Sequence, residues 1–120
     1  MGAVRRKGEL TTESKTGLRD GKGTIVIEHL MEADKGEFYG RGRLFALITV
    51  APGNSVGYHV HEEDMECYYV LEGEGRYDDN GTETTIKEGD TTITLKGEGH
   101  ALYNDGNKDL VVLALVLFAN

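Results

Sequence analysis

Two histidines one residue apart, His59 and His61, stand ahead of a glutamate, Glu66, in the stretch GYHVHEEDME. Imidazole nitrogens and a carboxylate oxygen are the donors that divalent transition metals take in proteins. Side chains alternate faces along a strand, so His59 and His61 point the same way and can reach one point in space. Glu62, Glu63 and Asp64 form a polar turn, and the next strand starts near Met65. On it Glu66 shares a face with Tyr68 and Val70. A carboxylate on the apolar face of a strand is costly unless it is paired or bound to a cation. The stretch therefore offers two neutral nitrogens and one charged oxygen to one ion. A third histidine, His100, follows Gly97 and Gly99 in GEGHALYN, where a tight turn lets it start a strand and point inward with Leu102 and Asn104. His29, alone in TIVIEHLM, reads as an ordinary packed or surface histidine.

Two further side chains are candidates for a pocket beside this cluster. Tyr68 shares the inward face of Glu66. Arg43, in FYGRGRLF, is of the type that clamps a carboxylate, although glycines at 40 and 42 blur its register and an exposed strand end is the plainer reading. Cys67 lies on the face opposite Glu66, which argues against a thiol ligand or nucleophile.

The elements that must carry these residues are strands. TIVIEHL (24–30), RLFALITV (43–50), ECYYVLE (66–72), TTIKE (84–88), TTITL (91–95) and LVVLALVLF (110–118) are short runs rich in β-branched, aromatic and leucine residues, bounded by glycines. Asp79-Asn80-Gly81 is a hairpin turn and Ala51-Pro52-Gly53-Asn54 another. No stretch holds a helical period beyond a single turn near Met31 to Lys35. The apolar run at 110–118 must be covered on both faces, by a second sheet or by another subunit.

One domain is expected from 120 residues, and 38% hydrophobic content suits a globular core without disulfides. A single cysteine permits no internal disulfide, so a reducing, cytoplasmic setting is the expectation. The run at 110–119 is too short to span a bilayer, and no signal peptide is evident. A net charge of -8 argues against broad nucleic-acid binding. The charge is uneven: residues 1–22 hold six Lys or Arg against three acids, whereas the rest hold seven against 18. That segment is expected as a basic arm, either folded against its own or a neighbouring body or, as the plainer reading, solvated and partly mobile, ahead of a β domain at 23–120.

The residues quoted so far resemble the two motifs of the cupin superfamily, in the form of its compact single-domain microbial members of the conserved barrel type. The first motif is matched in full by Gly53-NSVGY-His59-V-His61-EEDM-Glu66-CYYVLE-Gly73. The second is matched by Gly89-DTTIT-Leu95-K-Gly97-EG-His100-ALY-Asn104, with Leu95 where proline is usual. The resemblance implies an all-β jelly-roll barrel of two antiparallel sheets. It implies one divalent transition metal ion (Mn, Fe, Ni, Cu or Zn) held by His59, His61, Glu66 and His100, with Asn104 structural. It also implies a small-molecule substrate or ligand and, together with the apolar run at 110–119 and the N-terminal arm, a homodimer, while the charge and the shortness of that run lead one to expect no nucleic-acid or membrane partner. Two functions fit: a metal-dependent enzyme on a small oxygen-bearing substrate (dioxygenase, decarboxylase or isomerase), or a non-catalytic small-ligand or sugar-binding module.

Overall fold

The computed structural model describes residues 2–119. It is all-β, with ten strands in two antiparallel sheets and only short 3-10 turns between them. In chain order the strands are β1 (Thr11–Thr16), β2 (Thr24–His29), β3 (Gly42–Val50), β4 (Ser55–Val60), β5 (Asp64–Glu72), β6 (Glu74–Asp79), β7 (Thr82–Lys87), β8 (Thr91–Thr94), β9 (Gly99–Tyr103) and β10 (Leu110–Phe118). The large sheet runs β1-β2-β3-β10-β5-β8 and the small one β4-β9-β6-β7. This is the two-layered jelly roll expected from the sequence.

The core lies between the sheets. It is built from every second residue of the long strands: Ile25 and Ile27; Ala46, Ile48 and Val50; Tyr68 and Val70; Leu110, Val112 and Ala114. Val56, Tyr77 and Leu102 close it from the small sheet. The apolar run at 110–118 is central in the large sheet, paired with β3 on one side and β5 on the other. Its even-numbered residues face the core. Its odd-numbered ones, Val111, Leu113 and Leu115, look outward and are half-buried. In register beside them lie Leu47 and Phe45 on one side and Tyr69 and Cys67 on the other. With Leu71, Ile93 and Leu117 exposed nearby, the outside of the large sheet is a broad apolar face.

Residues 11–16 depart from the solvated reading of the N-terminal segment. They form β1, paired with β2 from Thr11↔His29 to Thr16↔Thr24. The sequence TTESKT hides this strand because nearly all of its residues are exposed, so no alternation appears. Charged side chains on such an edge also oppose pairing with other chains. Ahead of β1, Arg5 pairs with Glu37 and donates to the Leu30 carbonyl (3.1 Å), which ties the chain's start to the body.

Two turns work as the sequence suggests. Asn80 (φ 50°) and Gly81 (φ 93°) join β6 to β7 in the left-handed region that hairpins require. The turn at 51–54 is closed by the Asn54 amide donating to the Ala51 carbonyl (3.0 Å). Asn104, buried, locks that turn to the core: its Nδ2 donates to the carbonyls of Val50 (2.8 Å) and Lys108 (2.7 Å), and its Oδ1 accepts from the Gly106 amide (3.0 Å). Replacing Asn104 with Ala strands these groups, so Asn104→Ala is expected to lose about 2–4 kcal/mol of stability in urea denaturation while metal content stays unchanged. A stable variant that has lost its metal would instead make Asn104 a ligand.

Candidate metal centre

The first strand of the small sheet would not bring His59 inward by simple alternation, because Val56 already faces the core. A bulge solves this. The register of β4 on β9 passes from Val56↔Leu102 to His59↔His100, so Gly57 and Tyr58 together oppose Ala101. His59 and His100 thereby become a directly opposed pair. His61 follows just past the end of β4, where its amide donates to the Glu98 carbonyl (2.9 Å) and its carbonyl accepts from the Gly97 amide (2.6 Å). Leu95, where the resemblance leads one to expect proline, keeps an N–H that donates to the Glu98 carboxylate (2.8 Å), while the Glu98 amide donates to the Leu95 carbonyl (3.0 Å). The side chain of Glu98 thus shapes the turn that a proline ring would otherwise shape. Glu66 comes from the other layer, on β5.

These four side chains converge. One donor atom from each of His59, His61, Glu66 and His100 lies within 4.8 Å of all the others. His100 Nε2 is 3.2 Å from His59 Nε2 and 3.1 Å from His61 Nε2. Glu66 Oε1 is 3.1 Å from His100 Nε2 and 3.3 Å from His61 Nε2. About 3 Å is the spacing of neighbouring ligands around one cation with bonds of about 2.1 Å.

The far nitrogen of each ring decides what the near one can do. His59 Nδ1 donates to the Gly57 carbonyl (2.8 Å), and His61 Nδ1 to the Asp64 carboxylate (2.5 Å). His100 Nδ1 meets the Tyr77 hydroxyl (2.8 Å) and the Thr94 hydroxyl (3.0 Å), either of which can accept. A carbonyl or a carboxylate cannot donate, so the outer nitrogens of His59 and His61 carry protons, and the two hydroxyls can hold His100 in the same tautomer, which turns the three Nε2 atoms toward a cation once any second proton is displaced. In that form three nitrogens and one carboxylate oxygen, most of them buried, accept four times and donate nothing. Such a set fits a cation, and the outer partners orient the rings as they do around bound metals.

The electrostatics agree. Burial pushes Glu66 up, but its contacts with His100 and His61 outweigh it and hold the carboxyl at about 2, as protons on those rings, or a cation in their place, would. Burial drives His59 down to about 4, which keeps it neutral. His61 is raised, chiefly by its contact with Glu66 and despite burial. Burial raises Asp64, yet its hydrogen bonds from His61 and Arg43 bring it below the usual carboxylate value. A proton on His61 answers the same excess of acceptors that a metal ion would.

The cluster opens on a cavity of about 360 Å³ through His59 and Glu66. Tyr68 and Arg43 both line it. Tyr68 is buried, and its ring stacks on His100 with centroids 5.1 Å apart and planes at 21°. Burial, then the Glu66 charge, raises its hydroxyl well above the ordinary value. Arg43 Nε donates to Asp64 Oδ2 (2.9 Å), which links it through Asp64 to His61. Cys67 is half-buried on the opposite face. The wall also holds residues that the sequence did not single out for the site. His29 lines the cavity, and its Nε2 donates to Glu13 Oε1 (2.9 Å). Lys15, Leu18 and Arg19 come from the N-terminal segment. Asp64 read as part of a turn, and the one available signal was its place three residues after His61. Tyr77 and Thr94 carried no signal at all.

Because His61 is raised and metal binding must displace its proton, metal affinity is expected to start falling as pH drops through a region above the ordinary histidine value. Glu66 and His59 add no proton competition until far lower pH. Calorimetry in buffers of different ionisation enthalpy would read this as proton release on binding. Asp64→Asn frees the outer nitrogen of His61 from its acceptor charge and should cost about 10–100-fold in metal affinity with the fold intact. Unchanged affinity would remove Asp64 from this role.

No helix among the described residues is long and apolar enough to cross a membrane. The family model described as "Cupin domain" matches residues 46–116, more than half of the chain. An oxalate-binding protein of Thermotoga maritima is 43% identical over 116 residues, covering 97% of this chain and 94% of its own. The crystal structure of a predicted oxalate decarboxylase, also from Thermotoga maritima, superposes with a TM-score of 0.90 at 41% identity, covering 98% of this chain and 100% of that one. A polyketide cyclase from Streptomyces resistomycificus shares the fold with a TM-score of 0.75 at 20% identity, covering 100% of this chain and 81% of that one. By motifs, topology and these likenesses together, the chain belongs to the cupin family.

Proposed function

We propose that this protein binds oxalate or a closely similar small dicarboxylate at one divalent transition metal ion held by His59, His61, Glu66 and His100, and acts on it as a metal-dependent enzyme of the decarboxylase type. The observation that carries the reading is the acceptor-only cluster opening on a cavity of small-ligand size, about 360 Å³. The near full-length likeness to an oxalate-binding protein supports the ligand class. When bound, the ion would polarise a carboxylate oxygen of the ligand.

The chain's own residues supply the rest. Leu18, Ile27, Leu44, Ile48 and Val56 give the cavity an apolar wall that excludes water from the bound ligand. Tyr68, stacked on His100, fixes that ring and keeps its own proton. Decarboxylation of a dicarboxylate monoanion breaks the carbon–carbon bond, releases carbon dioxide and leaves an electron pair on the retained carbon, which takes up a proton. His29, whose ring lines the cavity outside the ligand set, is the group placed to deliver that proton. The Glu13 carboxylate, drawn below its usual value mainly by the hydrogen bond from His29, orients the ring and stays ionised. In the second reading the protein binds the dicarboxylate without turning it over, and the name of the 43% identical relative favours that.

One experiment separates the two. Metal-loaded protein is given oxalate, and binding is followed by calorimetry while formate and carbon dioxide are quantified. Turnover that falls by about 10²-fold or more in His29→Ala, with oxalate affinity kept, is the expected result. Binding without product supports the second reading, and binding that survives complete metal removal overturns both.

We also propose that two copies pair through the apolar outer face of the large sheet. The support is the row Val111, Leu113 and Leu115 with its flanking aromatic and aliphatic neighbours, which a second sheet of the same kind would cover. Sedimentation analysis is expected to give a dimer at micromolar concentration and a monomer for Leu115→Lys. A wild-type monomer would refute the pairing.

A further inference from the structure

Beside the main cavity lies a second, of about 290 Å³, lined by His61, Glu62, Glu63 and Asp64. Arg19 and Arg43 are the two residues that line both, so they stand at the junction. Arg43 is steered there by Asp64, which takes its Nε and leaves the two Nη groups without a hydrogen-bond or ion-pair partner among the described residues. The Arg19 side chain likewise has no such partner among the described residues. An unpaired arginine beside a cavity is a ready donor fork for a carboxylate.

The backbone that carries Arg19 is built in an unusual way. Arg19 (φ 55°, ψ 39°) and Asp20 (φ 62°) are successive non-glycine residues in the left-handed region. Such strain persists only where the surroundings enforce it, and it clusters at functional sites. Here the enforcement is visible. The segment is stitched to β4, with the Lys22 amide donating to Ser55 Oγ (2.8 Å) and the Ser55 amide to the Lys22 carbonyl (2.8 Å). A side chain on Gly57 would fall on the Arg19 carbonyl, and one on Gly21 would fall on the Ser55 carbonyl. Backbone therefore packs directly on backbone. Gly57 is also the residue whose carbonyl orients His59, so the turn that aims Arg19 is braced against the metal cluster itself.

We propose that Arg19 and Arg43 clamp the carboxylate group of the ligand that faces away from the metal cluster, and that the left-handed turn at 17–21 holds Arg19 for this purpose. The site thereby selects dicarboxylates over monocarboxylates. This rests on the reading that the four-residue cluster holds a metal ion which takes one end of the ligand. The charges are in keeping with it. A divalent ion with Glu66 leaves one net positive charge, Asp64 offsets Arg43, and Arg19 adds a second, which suits a dianion. The cavity also exceeds what oxalate needs, so malonate belongs among the probes.

The test uses the full chain loaded with Mn(II), with metal content assayed before and after each titration. Oxalate, malonate, formate and acetate are titrated into wild type, Arg19→Gln and Arg43→Gln by calorimetry. The expected result is tighter binding of the dicarboxylates by wild type, a loss of about 10–100-fold in dicarboxylate affinity in each variant, and unchanged monocarboxylate affinity and metal content. Arg19 is exposed and its side chain makes no bond among the described residues, so Arg19→Gln tests the clamp without endangering the fold. Dicarboxylate affinity that is the same in wild type and Arg19→Gln overturns the clamp and leaves the metal-site reading standing. A metal-loaded wild type that binds none of the four anions overturns that reading, and the clamp with it.

Discussion

Four electron-pair donors meet at one point, and much of the fold is arranged to make that tolerable. Left alone, three imidazole nitrogens and a carboxylate about 3 Å apart repel one another. Each ring keeps its lone pair aimed inward only because its other nitrogen is tied to an oxygen. Those oxygens come from three separate places: the Gly57 carbonyl on β4, Asp64 at the start of β5, and Tyr77 with Thr94 from β6 and β8. Three histidines belong to the small sheet or its continuation, whereas Glu66 belongs to the large one. A cation at this point therefore ties the two layers together. Such an ion adds to native stability because the unfolded chain cannot present the four groups at once.

What could be read from the sequence was whatever depended on local alternation. Period two puts Glu66 with Tyr68 and Val70, and all three are buried. The six apolar strands stand close to where their composition places them, since burial on one or both faces dictates those residue types. The relation of His59 to His61 is local too. Beyond that, the deciding facts are long-range. The bulge at Gly57 and Tyr58, which brings Val56 and His59 to the same side, depends on pairing with β9. Strand β6, EGRYDD, reads as polar because its outward charges mask the inward Gly75 and Tyr77. His29 read as ordinary because nothing near it in sequence reveals that β1 will pair beside it and bring Glu13 within 2.9 Å.

The same distinction explains Asp64. As the third of three acidic residues after His61 it has the composition of a solvated turn. In the fold it is the first residue of β5, buried, and shared between His61 and Arg43. Burying a carboxylate there is tolerable because both partners donate to it, and it serves both at once. It fixes the proton of one ring and the direction of one guanidinium. A single acidic residue thereby couples the orientation of a candidate metal ligand to that of a cavity arginine.

This coupling bears on how one barrel can host different chemistries. All four donors, and every oxygen that orients them, lie within residues 46–116, the part matched by the family model. Glu13, Lys15, Leu18, Arg19, His29 and Arg43, which line the cavity in front of them, all lie outside it. The part matched by the family model thus carries the four donors and, through Ile48, Val56 and Tyr68, part of the cavity wall, while the N-terminal segment and the first strands of the large sheet supply its charged side. Substituting Lys15, Leu18 or His29 in that wall changes size, charge and proton supply without touching the acceptor cluster, whereas Arg43 reaches it through Asp64. A second link is the contact of the turn at 17–21 with Gly57, where the wall leans on the residue whose carbonyl orients His59. There the ligand-facing segment and the donor cluster share a backbone contact, so a change in the turn's conformation reaches the cluster through the carbonyl that sets the His59 tautomer.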